Sequence, residues 1–242
     1  KYSPKFLHMY DNIVDTEHAG LHLVYSQFRT LEGIGLFKLM LDYKGFTQFK
    51  IKKGLDGVWS LNIADEDRGK PTYALYTGTE SDEEKEMIRN IYNSDWNPNL
   101  PITQTLRDIA NNNHMGEIIK VLMITASGSE GINLRSTRFV HIMEPYWHPV
   151  REEQVIGRAV RLNSHINLPE EKRFVKVFKY LTVFSYEQIN GKNEAGEVTT
   201  GTIKMISPQI KKKDVSKLDK NKIITTDEAL EEISSIKKNI NT

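Results

Sequence analysis

Two arginines stand three residues apart, Arg158 and Arg161, beside Gly157 and after Gln154. Residues at positions i, i+3, i+4 and i+7 share one helix face, so the spacing predicts two guanidinium groups that point the same way. A guanidinium stays charged and binds phosphate oxygens in pairs. Glycine inside a helix costs roughly 0.5 to 1 kcal/mol, which favours the close approach of a triphosphate or a facing domain. The alternative is that the arginines form only a solvated face.

A second polar stretch follows a continuous apolar strand. Gly128 and Gly131 allow the backbone to approach a ligand closely, and the stretch also carries side chains suited to phosphate or ribose, namely Thr125, Ser127, Ser129 and Asn133. In open α/β sheets, ligands bind at the carboxyl ends of strands. We therefore expect a binding loop here, with a tight turn between two strands as the alternative.

These stretches together resemble superfamily 2 helicases. Residues 154–161 match the motif VI pattern Gln-x-x-Gly-Arg-x-x-Arg, residues 127–134 resemble motif V, and residues 23–28 resemble motif IV of the Swi/Snf-like branch. Within that branch, residues 141–147 together with 157–161 are most similar to helicase-like transcription proteins of large DNA viruses, such as the poxvirus early transcription factor small subunit and nucleoside triphosphate phosphohydrolase.

The resemblance implies the C-terminal lobe of an ATP-dependent helicase or translocase that acts on DNA or RNA, with a role in viral transcription. Arg158 and Arg161 would be arginine fingers for hydrolysis, with Gln154 on the same catalytic surface. The nucleotide would be contacted by Gly131, Asn133, Glu130 and Gly157. The nucleic-acid backbone would be contacted by Ser26, Gln27, Thr125, Ser127 and Gly128.

The sequence departs from the family pattern at two positions. Ala126 stands where Swi/Snf relatives usually have arginine, and Glu130 replaces an apolar residue. We therefore expect the details of backbone contact to differ from those of the relatives.

Motifs of the first helicase lobe are absent from the sequence. It contains neither Gly-x-x-x-x-Gly-Lys-Ser/Thr nor a paired acidic motif at a strand end, and the near miss at residues 69–72 is interrupted by Pro71. We therefore expect an N-terminal RecA-like lobe of the same protein to hold ATP and Mg²⁺, and this chain alone to be inactive. No metal site is predicted, because His141, Glu144 and His148 straddle a strand end and a turn.

The motifs need a scaffold of alternating strands and helices. Apolar runs predict strands at residues 21–28, 73–76, 118–125, 139–143 and 175–184, and the last three are continuous enough to be buried on both faces. Helical spacing and capping residues predict helices at residues 4–14, 31–41, 81–92, 102–111, 149–162 and 227–240. The expected fold class is α/β, a RecA-like three-layer α/β/α arrangement with a mainly parallel sheet and a C-terminal extension.

Domain boundaries follow from changes in composition. We predict a lead-in helix and linker at residues 1–20, the RecA-like lobe at 21–186, and an extension with a terminal helix at 187–242. The sequence of residues 45–70 predicts a hairpin inserted into the sheet. The loop at 95–101 and the asparagines after the next helix are expected at the surface.

Composition excludes several classes of protein. Of 242 residues, 38% are hydrophobic and none is cysteine, which excludes disulfide frameworks and thiolate metal sites. A net charge of +1 means that any nucleic-acid surface is local. No apolar run is long enough to span a membrane, so no membrane partner is expected. The missing initiator Met suggests a fragment of an intracellular protein, found in the virion and in the host cytoplasm or viral factory if it is viral.

Several alternatives remain open from the sequence. The chain could instead be a catalytically degenerate docking module of a transcription complex, or part of the motor subunit of a restriction-type nuclease. Trp147 either stacks a base or packs in the protein, and the lysines at residues 211–222 either contact nucleic acid or are solvated.

Overall fold

The chain builds a six-stranded sheet in which every pairing is parallel. The computed structural model describes residues 3–30, 32–127, 131–192, 197–201 and 224–240. In the first part of the chain the strands are β1 (Leu21–Tyr25), β2 (Thr47–Gln48), β3 (Ile51–Lys53), β4 (Trp59–Leu61), β5 (Thr72–Tyr76), β6 (Val121–Ile124), β7 (Thr137–Ile142) and β8 (Lys176–Lys179). The central sheet has the order β2-β5-β6-β1-β7-β8.

Helices cover both faces of this sheet. They are α1 (Pro4–Val14), α2 (Ile34–Tyr43), α3 (Asp82–Tyr92), α4 (Pro101–Ile109) and α5 (Pro149–Ala159). Buried residues of α1 and α2 pack on one face, and those of α3, α4 and α5 pack on the other. The expected three-layer α/β/α fold with a parallel sheet is therefore confirmed. None of the helices that the structure describes combines the length and the apolar character needed to cross a bilayer.

Burial along the strands follows their place in the sheet. The central strands β1, β6 and β7 are buried along their whole length, as the continuous apolar sequences of β6 and β7 predict. The prediction of a long buried strand at residues 175–184 is wrong: β8 ends at Lys179, and most of its side chains are exposed. The physical reason is that β8 is the edge strand of the central sheet.

The 45–70 segment differs from its prediction. A hairpin is present, with β3 antiparallel to β4 and Gly57 at a positive φ of 77° in the turn. This hairpin forms a separate two-stranded sheet rather than an insertion into the central one. Only the two residues of β2 join the central sheet, where they pair with β5 at its edge.

The asparagine run after α4 is not entirely a surface feature. Asn113 is fully buried, and its Nδ2 donates to the carbonyls of Tyr92 and Ile119 at 3.1 Å each. Its Oδ1 accepts from the N–H groups of Ile118 and Ile119. The side chain thus satisfies four backbone groups just before β6, and that tertiary role explains why the surface prediction is wrong for this residue.

Contacts divide the chain into two compact units, Lys1–Glu144 with Val150–Tyr180, and Pro145–Pro149 with Leu181–Thr242. The second contains the helix α6 (Tyr186–Ile189), the antiparallel strands β9 (Asn190–Lys192) and β10 (Val198–Thr200), and the helix α7 (Thr226–Ile240). Helix α7 is capped at its start, because Thr225 and Glu228 exchange side-chain to backbone hydrogen bonds. The lysines at residues 211–222 lie outside the described residues, and the domain boundaries stay predictions.

Trp147 also lies in the second unit. Its side chain is 45% exposed, and Lys237 Nζ lies 3.7 Å from the centroid of its ring. A cation over one face of the ring is an attractive contact within the protein. It supports the packing interpretation of Trp147 over base stacking at that face.

A buried chain of hydrogen bonds crosses the face of the sheet covered by α1. His22 Nε2 lies 3.0 Å from the carbonyl of His18, which can only accept, so this nitrogen carries the proton. His22 Nδ1 must then accept from His141 Nε2 at 2.9 Å, and His141 Nδ1 must accept from the Tyr180 hydroxyl at 2.8 Å. Asn12 Nδ2 completes the chain by donating to that hydroxyl.

Both imidazoles in this chain are neutral in the folded protein. Burial lowers the pKa of His141 to about 3. Burial, followed by the nearby His141, lowers the pKa of His22 well below its usual value. A proton added to either ring would set two donors against each other, because each ring already donates from one nitrogen and accepts at the other.

We predict that acid destabilises the fold through this pair. Unfolded histidines take up protons as the pH falls below about 6.5, while the buried pair does not, so the unfolded state is favoured by up to about 1.4 kcal/mol per pH unit for each histidine. Between pH 7.5 and 5.5 we expect the free energy of unfolding, measured by urea titration, to fall by about 3 kcal/mol.

Two histidine variants isolate this effect from that of other groups. His141→Gln removes one titrating ring but keeps an amide that can donate to His22, so its stability should fall less with acid. His8→Gln removes an exposed histidine of α1 and should keep the full pH dependence. If the free energy of unfolding depends equally on pH in the wild type and both variants, the buried histidine pair is not the cause of the acid sensitivity.

Candidate functional site

The carboxyl ends of four neighbouring strands lie level at one edge of the sheet. Ile124 pairs with both Tyr25 and Tyr76, and Tyr25 pairs with Ile142. The residues that follow these strand ends are polar or lead into polar loops: Thr77, Thr125, Ser26 and Glu144. This edge is where open α/β sheets bind ligands. The structure therefore brings the predicted motif IV and motif V residues together.

Glu144 organises the motif IV loop. The Ser26 hydroxyl donates to Glu144 Oε1 at 2.8 Å, and the Gln27 N–H donates to Oε2 at 3.2 Å. Ser26 is fully buried, so its side chain shapes the loop while Gln27 is partly exposed. Gly33 is required beside this loop, because a Cβ there would lie 2.3 Å from the Ser26 hydroxyl.

The motif V loop lies against a neighbouring loop that the sequence reasoning did not single out. Thr125 is buried and its hydroxyl lies 3.0 Å from that of Ser127, which is exposed. A Cβ on Gly78 would come within 3.0 Å of the Ser127 hydroxyl, so the two loops are close. Glu80 fixes the Gly78 loop by accepting from the N–H of Thr77 at 2.6 Å.

Part of the motif V prediction lies outside the described residues. Gly128, Ser129 and Glu130 are not among the described residues, so their expected contacts stay predictions. Gly131 has a positive φ of 71°, a backbone conformation that favours glycine.

The segment after Gly131 alternates between the interior and the surface. Ile132 and Leu134 are buried, whereas Asn133 and Arg135 are exposed. The N–H of Leu134 donates to the carbonyl of Arg158 at 3.2 Å, which joins this segment directly to the end of α5. The two motifs that the sequence places far apart are thus hydrogen-bonded neighbours.

Helix α5 ends earlier than its sequence suggests. Val155 and Ala159 face the core, but the helix stops at Ala159 and Leu162 is 93% exposed. Two features end it: the Ser164 hydroxyl donates to the carbonyl of Ala159, and Asn163 adopts a positive φ of 61°. The prediction that the helix continues to Leu162 is therefore wrong.

The two arginines consequently have different environments. Arg158 lies on α5, and its Nε is buried and has no hydrogen-bond partner within the described residues. Arg161 lies two residues past the helix and is exposed, with its Nε 3.4 Å from the carbonyl of Gly157. Gln154 is exposed on the helix. A Cβ on Gly157 would meet no atom of the described chain within 4 Å.

Two adjoining cavities lie beside Arg161. One, of about 370 Å³, is lined by Asn133, Arg135, Arg161, Leu162, Asn163, Ser164, Ile166 and Asn167. The other, of about 540 Å³, shares five of these residues and extends to Arg173, Phe174 and Val175. The smaller cavity joins two predicted site residues, Asn133 and Arg161, and its lining contains two guanidinium groups and no carboxylate.

Sequence reasoning missed several residues that build these places. Arg135 lines the smaller cavity and pairs with Asp95 at 2.5 Å. Asn93, at the end of α3, is hydrogen-bonded to the backbone of Asn133 and Arg135. The alternation from Asn133 to Arg135 was a signal for the arginine, but no local pattern marks Asn93 or Glu144.

The residues weighed as a metal group have other contacts. His141 is fully buried in the hydrogen-bonded chain described above, and Glu144 binds the motif IV loop. Among the residues described, no cluster of three or more potential ligands could hold a metal ion.

Comparisons with known proteins identify relatives among viruses. The "Termination factor NPH-I homolog" of African swine fever virus is 31% identical over 202 residues, covering 75% of this chain and 26% of that protein. The "Putative ATP-dependent RNA helicase R563" of Acanthamoeba polyphaga mimivirus is 30% identical over 183 residues, covering 76% of this chain and 26% of that protein. The chain spans about a quarter of the length of these relatives.

A solved structure and a family model also match. The C-terminal part of the Fun30 ATPase domain aligns with a TM-score of 0.47 and 13% identity, covering 97% of this chain and 53% of that one, a likeness too distant to support a conclusion. Residues 6–163 match the model of the helicase conserved C-terminal domain. The chain therefore belongs to the helicase conserved C-terminal domain family, as its motifs predict.

Proposed function

We propose that this chain is the C-terminal lobe of an ATP-dependent helicase or translocase that moves along nucleic acid. An N-terminal RecA-like lobe of the same protein holds ATP and Mg²⁺, so this lobe is inactive alone. Arg158, Arg161 and Gln154 complete the hydrolytic site. The observation that carries the proposal is the cavity shared by Asn133 and Arg161, next to the backbone hydrogen bond between Leu134 and Arg158.

The described residues fit a polyphosphate. Arg158 is partly exposed on α5, so its guanidinium can meet an oxygen supplied from outside the chain. The space beside Gly157 would admit a methyl group, so the chain's own packing does not require a glycine there. The close approach of a group from outside this chain would explain the glycine at position 157. Two arginines without a carboxylate in the cavity lining favour an anion.

Because Arg158 is on the helix and Arg161 is exposed beyond it, we assign them different roles in the nucleotide site. Arg158 is anchored on α5, where its carbonyl also holds the motif V segment, and it would bind the nucleotide in a fixed place. Arg161 is exposed beyond the helix and can move as the lobes close. Its charge would then stabilise the phosphoryl group in transfer, and reopening after hydrolysis would shift the lobes along the track.

The level strand edge would form part of that track. Gln27 and Ser127 reach the surface there, whereas Ser26 and Thr125 are buried and support the two loops. Neutral polar groups and loop N–H groups at this edge suit phosphate oxygens, which are contacted without reading sequence. The Gly78 loop is an additional contact, because it adjoins Ser127.

A transcription role in a large DNA virus is part of the proposal. Two relatives are viral proteins, and one is named a termination factor. The partners would then be DNA or RNA and the transcription machinery, inside the virion and in the cytoplasm or viral factory of the host cell.

We predict that Arg161→Ala abolishes most ATP turnover while ATP still binds. In the full-length protein with nucleic acid, kcat should fall by about 100-fold or more, because removal of an arginine finger costs about 10³ to 10⁵ in related enzymes. Binding of a fluorescent ATP analogue, measured by anisotropy, should change by less than about threefold. Arg161→Lys should remain impaired, because an ammonium cannot bind two oxygens as a guanidinium does.

Arg107→Ala serves as the matched control. Arg107 is exposed on α4, outside both candidate surfaces, and its removal should leave turnover unchanged. Normal turnover of Arg161→Ala would refute the finger role. Absence of ATP hydrolysis in the wild type would favour the docking module instead.

We also predict that Ser127→Asp weakens the nucleic-acid track. A carboxylate at this exposed position would repel phosphate, so the nucleic-acid concentration that gives half-maximal ATPase stimulation should rise about tenfold, and more at low salt. Thr105→Asp adds the same charge on the exposed face of α4 and should have no effect. If both variants behave like the wild type, the phosphate backbone does not pass this edge.

A further inference from the structure

The side chain of Asn93 forms two hydrogen bonds with the backbone segment that lines the smaller cavity. Asn93 ends α3 and is buried. Its Nδ2 donates to the carbonyl of Asn133 at 2.9 Å, and its Oδ1 accepts from the N–H of Arg135 at 2.8 Å. One amide thus bonds the backbone on both sides of Leu134, as a neighbouring strand would.

Leu134 is held from the other side. Its N–H donates to the carbonyl of Arg158 at 3.2 Å, and its side chain is fully buried. Because bonds alternate between the two sides, the segment is extended and successive side chains point in opposite directions. The side chains of Asn133 and Arg135 therefore both line the 370 Å³ cavity.

Only a primary amide meets both demands at this position. The carbonyl of Asn133 needs a donor, and the N–H of Arg135 needs an acceptor. A carboxylate offers two acceptors and would repel the carbonyl, while a serine hydroxyl is too short to bridge both groups. Asn93 is not among the residues that line the cavity, so any effect on a ligand there acts through the backbone that it holds.

We infer that Asn93 is a positioning residue for the nucleotide: it fixes Asn133 and Arg135 so that their side chains meet the ribose and phosphates. This inference rests on the proposed function. Without these two hydrogen bonds the segment keeps its apolar anchor at Leu134, but the backbone that carries Asn133 and Arg135 is no longer held on the side of α3. ATP binding then weakens more than the chemical step, which depends on the arginines of α5 and the turn that follows it.

The test is steady-state kinetics of nucleic-acid-stimulated ATP hydrolysis by the full-length protein carrying Asn93→Asp. This substitution keeps the shape and the acceptor but removes the donor. We expect the KM for ATP to rise about tenfold while kcat stays within about threefold. A purely structural defect would instead reduce the folded fraction, which lowers kcat and leaves KM unchanged. Asn99→Asp, exposed in the loop after α3, adds the same charge and should alter neither constant.

Asn93→Ser is the second variant, because a smaller side chain fits the buried position without a clash. It should show the same rise in KM. A wild-type KM in both variants overturns the role of Asn93, as does a wild-type KM in Asn93→Ser where Asn93→Asp does not fold. In either case the ATPase and its loss in Arg161→Ala would remain. Absence of ATP hydrolysis in the wild type would refute the proposed function, and this inference with it.

Discussion

Parallel strand pairing is the constraint on which the rest of the structure depends. Because all six strands of the central sheet run the same way, their carboxyl ends meet at one edge. The apolar central strands must be buried on both faces, so the polar residues of each strand-to-helix connection gather at that edge. Residues from distant parts of the sequence, such as Ser26 and Glu144, thereby come within hydrogen-bond distance.

Polar residues inside the fold serve two different purposes. Asn113 and the chain from Asn12 to His22 satisfy groups within the protein and have complete sets of partners, which stabilise one arrangement of the core. Three buried atoms differ, since Ser136 Oγ and the Nε atoms of Arg138 and Arg158 have no partner in the described part of the chain. Among such residues only Arg158 lies on α5 beside the motif VI residues, which is why we propose a ligand contact for it alone.

Local sequence predicted the elements whose signals are local. The first helix runs from Pro4 to Val14 as its proline and apolar spacing indicate, and α3 begins after Ser81 as its capping residues indicate. The exposure of β8 depends instead on its place at the sheet edge. The end of α5 depends on Ser164, which returns from the following turn to bind Ala159. Neither fact is contained in apolar periodicity.

The residues of the candidate site likewise fall into two groups, those that local sequence indicates and those whose roles depend on the fold. Its arginines and glycines form a contiguous pattern, so the sequence alone indicated them. Asn93 and Glu144 act on backbone and hydroxyl groups that lie 40 or more positions away in the chain, so their roles exist only once the fold has formed. Sequence reasoning missed Arg135 because its role depends on lining the same cavity as Arg161, which only the fold brings about.

Charge shows most clearly why composition could not locate the site. The chain has 33 basic and 32 acidic residues, a balance that predicts no preference for anions. Folding nevertheless places Arg135 and Arg161 in one small cavity whose lining has no carboxylate, while the nearest paired acid, Asp95, binds Arg135 without lining the cavity. That pair is partly exposed, so solvent screens it and its main effect is to orient the guanidinium. The anion preference that we propose for this lobe would therefore be a property of how the sheet and its connections distribute charge, and not of how much charge the chain carries.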